Sequence, residues 1–374
     1  MRLNLHYRAE LGDRKSLHNH LQHVPSLLTL IFSFRWASCQ INYLSKQLTG
    51  SAVRRALYHI PEDLNKTYEQ ILLRIPEEHK DLVYQVLLWL CFAKRRLTLN
   101  ELAEAVVFDE SQREMNDEDR LNQPEVIIDI CQGLVTRDLS TWRVMLAHSS
   151  VKNFLLSDWI RQSKAAYFSL DPASANRTIM RKCLAYLWLD GLKAYAENKL
   201  ELEQRCQRYK LLYYAPQYWP LHAEEEPNPQ DMKLIKAFLD TYKLPRGGYF
   251  TSWTQCLLGS TRGKDIEHTQ PLYYAASYNL LPIVRVLIDS KQNSNDGAEE
   301  IDLNAPGGRG GATALNIACF RGHYEVAKAL LEAGADPLKG DDFGAPPLAW
   351  ARQNKEWEVV KLLKEYVEDD EGYV

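Results

Sequence analysis

What this chain lacks narrows its function more sharply than its bulk composition does. No GxxxxGK[ST] string occurs, and the nearest approach, Gly259-Ser260-Thr261-Arg262-Gly263-Lys264-Asp265, has one residue too few between its glycines. It also carries an aspartate where magnesium needs a hydroxyl, and no apolar strand precedes it, so it is expected to be a loop and the chain to bind no nucleotide. There is no GxSxG elbow for acyl transfer. Ser149-Ser150-Val151-Lys152 matches SxxK beside His148, but the partner strings SDN and KTG are missing, and helix capping by the serines explains the segment. The seven cysteines are an odd number, scattered without a CxxC pair, which argues against a disulfide framework or zinc site and for reduced thiols in a cytoplasmic or nuclear protein.

Long apolar runs are missing too. The stretch Val24 to Phe34 is about eleven residues, where a membrane span needs roughly twenty. Residues 1–33 carry scattered charge without the order of a secretory signal, and His18, His20 and His23 lack acidic or cysteine partners; we expect a disordered arm with no metal. Basic excess is absent: 45 Lys and Arg against 49 Asp and Glu leave a formal charge of -4, no attraction for nucleic acid or an anionic membrane.

What is present is a repeat. Gln270-Pro271-Leu272-Tyr273-Tyr274-Ala275, Thr313-Ala314-Leu315-Asn316-Ile317-Ala318 and Pro346-Pro347-Leu348-Ala349-Trp350-Ala351 align, residue for residue. The interval from Leu315 to Leu348 matches the ankyrin period of about 33 residues, one turn and two helices, and the interval from Leu272 to Leu315 is longer by an insertion. The segment therefore resembles ankyrin repeats. Gly322 and Gly334 are placed to end the two helices of the middle repeat. Asn279 takes the turn position in the first repeat and Pro282 the first turn of the following helix, while Lys355 takes the turn in the third. The charged Glu356, Glu358, Lys361, Lys364 and Glu365 mark the third as a terminal cap.

Upstream, the apolar spacing predicts a helical segment at 34–76 and then a domain at 77–160. In the latter, Val83, Val86, Leu87 and Leu90 line one helix, Thr98 and Glu101 form a capping box before Leu102, Pro124 opens a helix that Gly133 stops, and Leu134–Thr136 and Val144–Leu146 read as a hairpin. Three helices and a hairpin give the winged-helix order. A helical connector at 161–263, rich in Tyr218, Trp219, Tyr242, Phe250 and Trp253, is expected to be core joining a helical bundle to the repeats. The repeats then fill 264–367, with an acidic tail at 368–374. The fold class is mainly α: helical segment, winged helix with a small β-hairpin, helical connector, ankyrin-repeat solenoid.

Phe34-Arg35-Trp36-Ala37-Ser38-Cys39-Gln40, Ile60-Pro61-Glu62-Asp63-Leu64 with Thr67-Tyr68-Glu69-Gln70-Ile71-Leu72, Leu146 to Leu155, and Tyr214-Ala215-Pro216-Gln217-Tyr218-Trp219 with His222 together resemble the part of fungal NACHT-ankyrin proteins that follows their nucleotidase. The resemblance implies a winged helix of the GPI-inositol-deacylase type, whose name carries no activity here. It also implies a P-loop nucleotidase of the STAND class before Phe34. The segment 1–33 is too short to hold one, so we expect an alternative or truncated amino terminus.

The function expected is non-enzymatic, without cofactor: a scaffold that binds another protein through its ankyrin surface and serves as the sensing half of a NACHT-type signalling protein. By ankyrin geometry the contacts would come from Arg309 on the second turn tip, Asp341, Asp342 and Phe343 on the third, and Ser277, Tyr278, Phe320, Arg321, Gln353 and Asn354 at the exposed ends of the inner helices. The alternative is a DNA-binding regulator, for which Arg137 and Arg143 in the wing are the support; the third helix, Glu125 to Gln132, has two acids and no base.

Overall fold

The computed structural model describes residues 36–37, 39–41, 48–52, 62–223, 227–292 and 302–367. The expected arm, with its three histidines, and the acidic tail lie outside the described residues, as do Glu224–Glu226 within the connector. Among the described residues no helix is long and apolar enough to cross a membrane. The chain divides into two compact units, one formed by residues 1–79, 131–135 and 146–169, the other by 80–130, 136–145 and 170–374.

In the first unit, α1 (Leu64–Leu73) starts where the Asp63 carboxylate accepts the Lys66 N–H, and α5 (Ser149–Leu155) and α6 (Asp158–Arg161) pack on it. Tyr68 is buried against Phe154, ring centroids 5.4 Å apart, and its hydroxyl meets Ser150 Oγ at 2.7 Å. One expectation is corrected here. Neither serine caps α5; the N-cap is His148, whose Nδ1 accepts the Ser150 N–H at 3.1 Å and also meets Ser150 Oγ at 2.6 Å. An imidazole nitrogen reaches the first-turn donors as well as a hydroxyl does, which frees Ser150 for Tyr68.

The second unit opens with α2 (Lys80–Phe92), α3 (Leu99–Val107) and α4 (Val126–Ile130). Their apolar faces, including Val83, Val86, Leu87, Trp89, Leu102, Ala105, Val106 and Ile127, are buried together. The expected capping box forms, with Thr98 Oγ1 accepting the Glu101 N–H and the Glu101 carboxylate accepting the Thr98 N–H. Strands β1 (Val135–Arg137) and β2 (Val144–Leu146) form the hairpin, and Val144 N–H donates to the Leu97 carbonyl. Gln132 and Gly133 turn the chain into it at φ of 51° and 86°.

The connector runs through α7 (Pro172–Leu187), α8 (Lys199–Arg208), α9 (Ala215–His222), α10 (Pro229–Leu239), α11 (Gly248–Leu258) and the short α12 (Lys264–Glu267). Trp219, Phe238, Phe250 and Trp253 are fully buried and packed ring against ring, and Trp253 lies 4.9 Å from the ring of Tyr274 in the first repeat. Aromatic density in the connector is therefore core, continuous with the repeats, as expected.

Each repeat contributes an inner and an outer helix: α13 (Pro271–Ser277) with α14 (Leu281–Gln292), α15 (Ala314–Phe320) with α16 (Tyr324–Glu332), and α17 (Pro347–Gln353) with α18 (Trp357–Tyr366). Inner stacks on inner and outer on outer. The interhelix turns sit at positive φ on Asn279 (58°), Gly322 (71°) and Lys355 (63°), the aligned positions read from the sequence. Leu272, Leu315, Leu330 and Leu331 are buried between neighbours. In the middle repeat Thr313 and the buried Asn316 cap each other reciprocally, and Asn316 Nδ2 donates to the Lys339 carbonyl of the next repeat at 3.3 Å.

Candidate protein-interaction surface

Across the second and third repeats runs a continuous line of contacts. The Phe320 ring at the end of α15 packs edge-on against Trp350 of α17, centroids 5.5 Å apart, and is 40% exposed. Trp350 Nε1 donates to Asp341 Oδ2 at 3.0 Å, and Asp341 Oδ1 accepts the N–H groups of Phe343 (2.9 Å) and Ala345 (3.0 Å). Phe343 stands at the tip, 83% exposed, and passes so close to Gly310 that a Cβ there would lie 2.7 Å from its ring. Gly310 has φ 64°, a conformation that suits glycine, so the tip of one repeat is shaped to receive the aromatic of the next. The two tips are also joined by the Asp342 N–H donating to the Gly310 carbonyl at 2.6 Å.

The structure brings several candidate residues together and removes one. Asp341, Asp342, Phe343, Phe320 and Trp350 belong to the line just described. Arg309 is the first residue of the tip turn Arg309–Gly311, and its side chain lies outside the described residues. Arg321 is exposed and lies over the half-buried Tyr278 ring at 5.9 Å; burial pushes the Tyr278 phenol up to about 12, so it stays a neutral donor at ordinary pH. Gln353 is exposed, while Asn354 turns its amide back on the Trp350 carbonyl at 3.0 Å. Ser277 is the correction. Ankyrin geometry places it at an exposed inner-helix end, but it is 5% exposed, and its carbonyl meets His323 Nε2 of the next repeat at 3.2 Å. The first repeat is covered by its neighbour at that end, which sequence spacing alone does not reveal. Burial lowers the His323 pKa, the Ser277 hydrogen bond working the other way.

Two further exposed aromatics escape the sequence reading. Tyr324 (36%) and Trp357 (63%) are the first residues of α16 and α18, equivalent positions in successive repeats. The repeat period is the signal that finds them, since it aligns the two aromatics at helix starts.

The wing has its own geometry. The Arg137 guanidinium lies 4.5 Å from the centroid of the Trp142 ring, and Arg143 Nη1 donates to the Arg96 carbonyl. Trp142 itself is 61% exposed at φ 57°, and Asp138 fixes the loop by accepting from Ser140 and Thr141, hydrogen bonds that hold its carboxyl down at about 2. Helix α4, where a recognition helix would lie, is a short element with Ile127 and Ile130 buried.

Behind these surfaces the second unit contains ion pairs that the sequence does not disclose. Glu104, 3% exposed, accepts from Arg120 Nη1 at 2.5 Å, from the Tyr186 hydroxyl and from the Lys210 N–H at 3.1 Å. Glu101 takes a two-pronged Arg95, at 2.7 and 2.9 Å, and Arg95 also donates to the Tyr213 carbonyl at 2.6 Å. Asp231, 2% exposed, is held by Arg181 at 2.5 Å and Arg177 at 3.2 Å. Lys182 Nζ donates to the Phe108 carbonyl at 2.9 Å, and burial lowers its pKa. Each of the three carboxylates is paired with arginine, and the Tyr186, Lys182 and Lys210 bonds tie α3 to the connector. Among the described residues, no three His, Cys, Asp or Glu side chains are grouped to hold a metal.

The comparisons with known proteins agree with this architecture. Residues 71–171 match the family described as GPI inositol-deacylase, winged helix domain, and residues 248–341 match ankyrin repeats in three copies. The chain is 30% identical over 299 residues, 75% of its length, to a Monascus ruber protein named azaphilone pigments biosynthesis cluster protein L, and it spans 61% of that relative's length. It is 44% identical over 54 residues, 14% of this chain and 8% of the other, to the mitochondrial disaggregase of Rattus norvegicus. With a Mus musculus protein named tRNA endonuclease ANKZF1 it shares 31% identity over 147 residues, 39% of this chain and 16% of the other. A winged helix of the GPI-inositol-deacylase type followed by ankyrin repeats is what the chain carries.

Proposed function

We propose that the chain is a non-enzymatic interaction module that holds a partner protein on its ankyrin face. The observation that carries the reading is the run from Phe320 through Trp350 and Asp341 to Phe343. Exposed aromatics fixed in place by their neighbours bury large area on binding with little loss of freedom, which is how interface hot spots work. Arg321 and Gln353, exposed on the same repeats, and Asp342 beside Phe343 would set specificity. The connector's continuous aromatic core, and the hydrogen bonds by which Tyr186 and Lys210 hold Glu104 of α3, support a rigid carrier for that face.

In this reading the module is the sensing half of a NACHT-type signalling protein acting in the cytoplasm. The name of the Monascus relative ties that protein to a pigment biosynthesis cluster; what is carried over to this chain is the shared pair of domains, and no catalytic role. A duplex-binding regulator draws little support from the wing, where one arginine stacks on Trp142 and the other bonds to a carbonyl.

The test is affinity capture from fungal extract with the full chain as bait, beside the double variant Phe320→Ala/Phe343→Ala. A protein retained by the parent and lost from a variant that keeps its helical circular dichroism supports the proposal. The same proteins captured at equal yield by both would sink it.

A further inference from the structure

A cavity of about 720 Å³ opens where the connector meets the first ankyrin repeat, a size typical of small-molecule sites. Its lining comes from separate stretches of the second unit: Tyr195 ahead of α8, Tyr242 and Arg246 between α10 and α11, Arg262 between α11 and α12, and Thr269 just before α13. Thr269 is 7% exposed, and its hydroxyl has no hydrogen-bond partner among the described residues. The repeat itself does not ask for a hydroxyl there, because the equivalent residues of the second and third repeats are Ala312 and Ala345. The capping threonine of the middle repeat, Thr313, sits one position later and is satisfied by Asn316. A buried hydroxyl left unpaired is a cost that an occupant of the cavity recovers.

The neighbouring side chains define that occupant. Tyr195 and Tyr242 are half-buried and supply aromatic walls, with the Arg246 guanidinium 5.1 Å from the centroid of the Tyr195 ring. Arg246 is already paired, its Nη1 donating to Glu197 Oε1 at 2.8 Å. The acid in the lining, Glu267, accepts the Gly263 N–H at 3.5 Å. Arg262 is exposed and has no acidic partner among the described residues, so it is the cation open to an anion.

We propose that this cavity binds a small aromatic carboxylic acid, its ring against Tyr195 and Tyr242, a polar atom of the ring paired with the Thr269 hydroxyl, and its carboxylate on Arg262. The tyrosines offer flat apolar area to a planar body, and the guanidinium fork matches the geometry of a carboxylate. With one unpaired cation in the lining, the site takes a single negative charge. Because the walls belong to both the connector and the first repeat, an occupant ties the two together and stabilises the folded chain. The site is separate from the ankyrin face and does not depend on the protein partner proposed for that face.

Isothermal titration calorimetry of the full chain with 6-hydroxy-2-naphthoate tests this, beside 2-naphthol, which keeps the ring and lacks the carboxylate. We expect saturable one-to-one binding of the acid and a raised melting temperature, with 2-naphthol about tenfold weaker. Thr269→Ala should weaken the acid about tenfold while folding normally, since alanine serves at the equivalent positions of the other repeats. Arg262→Gln should weaken the acid by a similar factor and leave 2-naphthol unchanged. The Phe320→Ala/Phe343→Ala variant should bind the acid as the parent does. No saturable binding by the parent, 2-naphthol bound as tightly as the acid, or an affinity for the acid unchanged in either Thr269→Ala or Arg262→Gln would overturn the proposal, as would its loss in the Phe320→Ala/Phe343→Ala variant.

Discussion

Phe320 and Trp350 meet edge to face, their ring centroids 5.5 Å apart and their planes at 74°, although they belong to successive repeats. The contact locks one side of the Phe320 ring and leaves the other open, whereas Phe343 is open nearly all round. Stability and binding should therefore separate. Phe320→Ala is expected to cost roughly 1 kcal/mol in urea unfolding through the lost aromatic pair. Phe343→Ala should stay within about 0.5 kcal/mol of the parent. A captured partner weakened by Phe343→Ala at unchanged stability would show that the exposed ring acts in binding; equal retention would assign it to the tip turn alone.

Glu104 predicts the opposite pattern, a large effect on folding with none needed at the surface. Removing its carboxylate strands the Tyr186 hydroxyl and the Lys210 N–H in a buried place and leaves Arg120 with only the more distant Asp117 as an acidic partner. Glu104→Ala should cost about 3 to 5 kcal/mol. In a double-mutant cycle, the Glu104→Ala/Arg120→Ala double variant should cost clearly less than the sum of the two singles, because each single already breaks the same ion pair. Additive losses would mean that the two residues are not coupled.

Which of these features the sequence discloses depends on how far apart the partners lie along it. Thr98 and Glu101, Thr313 and Asn316, and the turn residues Asn279, Gly322 and Lys355 act within a few positions, and their roles follow from residue type and spacing. Glu104 and Tyr186, or Asp231 and Arg181, find each other only after the helices dock, so no local pattern marks them. The site shows the same division. Phe320 and Phe343 are legible as exposed aromatics at repeat-aligned places, but the burial of Ser277 depends on His323 of the neighbouring repeat, and the Asp341 to Trp350 bond depends on the folded tip. His148 displaces the serines as the cap of α5 because Ser150 is engaged by Tyr68, far away in sequence.

His222 should make the fold sensitive to acid. It is 1% exposed, its Nε2 accepts from the Tyr214 hydroxyl at 2.7 Å, and its Nδ1–H donates to Asn176 Oδ1 at 2.8 Å, while the Lys94 N–H donates to the Tyr214 oxygen at 2.9 Å. That network suits a neutral imidazole. Burial first, and the Lys94 charge second, depress its pKa from 6.5 to about 3. Because the unfolded chain takes up the proton first, stability is full above about pH 6.5 and falls as pH drops, by roughly 1.4 kcal/mol per unit until about pH 3. Asp138, held at about 2 against an ordinary 3.8, adds its loss between about pH 3.8 and pH 2. Urea unfolding between pH 7 and pH 4.5 should show a steep decline that His222→Gln flattens; an equal slope in the variant would remove His222 as the cause.

Lys355 offers a stabilising substitution. Its φ of 63° is the left-handed conformation that Gly322 occupies at 71° in the equivalent turn of the preceding repeat. A β-carbon there costs about 1 to 2 kcal/mol, and glycine's freedom in the unfolded chain returns part of that. Lys355→Gly should therefore raise stability by about 0.5 to 1 kcal/mol, read as a higher urea midpoint at unchanged slope. The reciprocal change, Gly322→Ala, should lower the midpoint for two reasons: the same backbone strain, and a Cβ that would collide with the Glu356 carboxylate. Because Lys355 is exposed at the end of the stack, its replacement removes no packing, so a lower midpoint for Lys355→Gly would mean that the turn is held by something other than its backbone conformation.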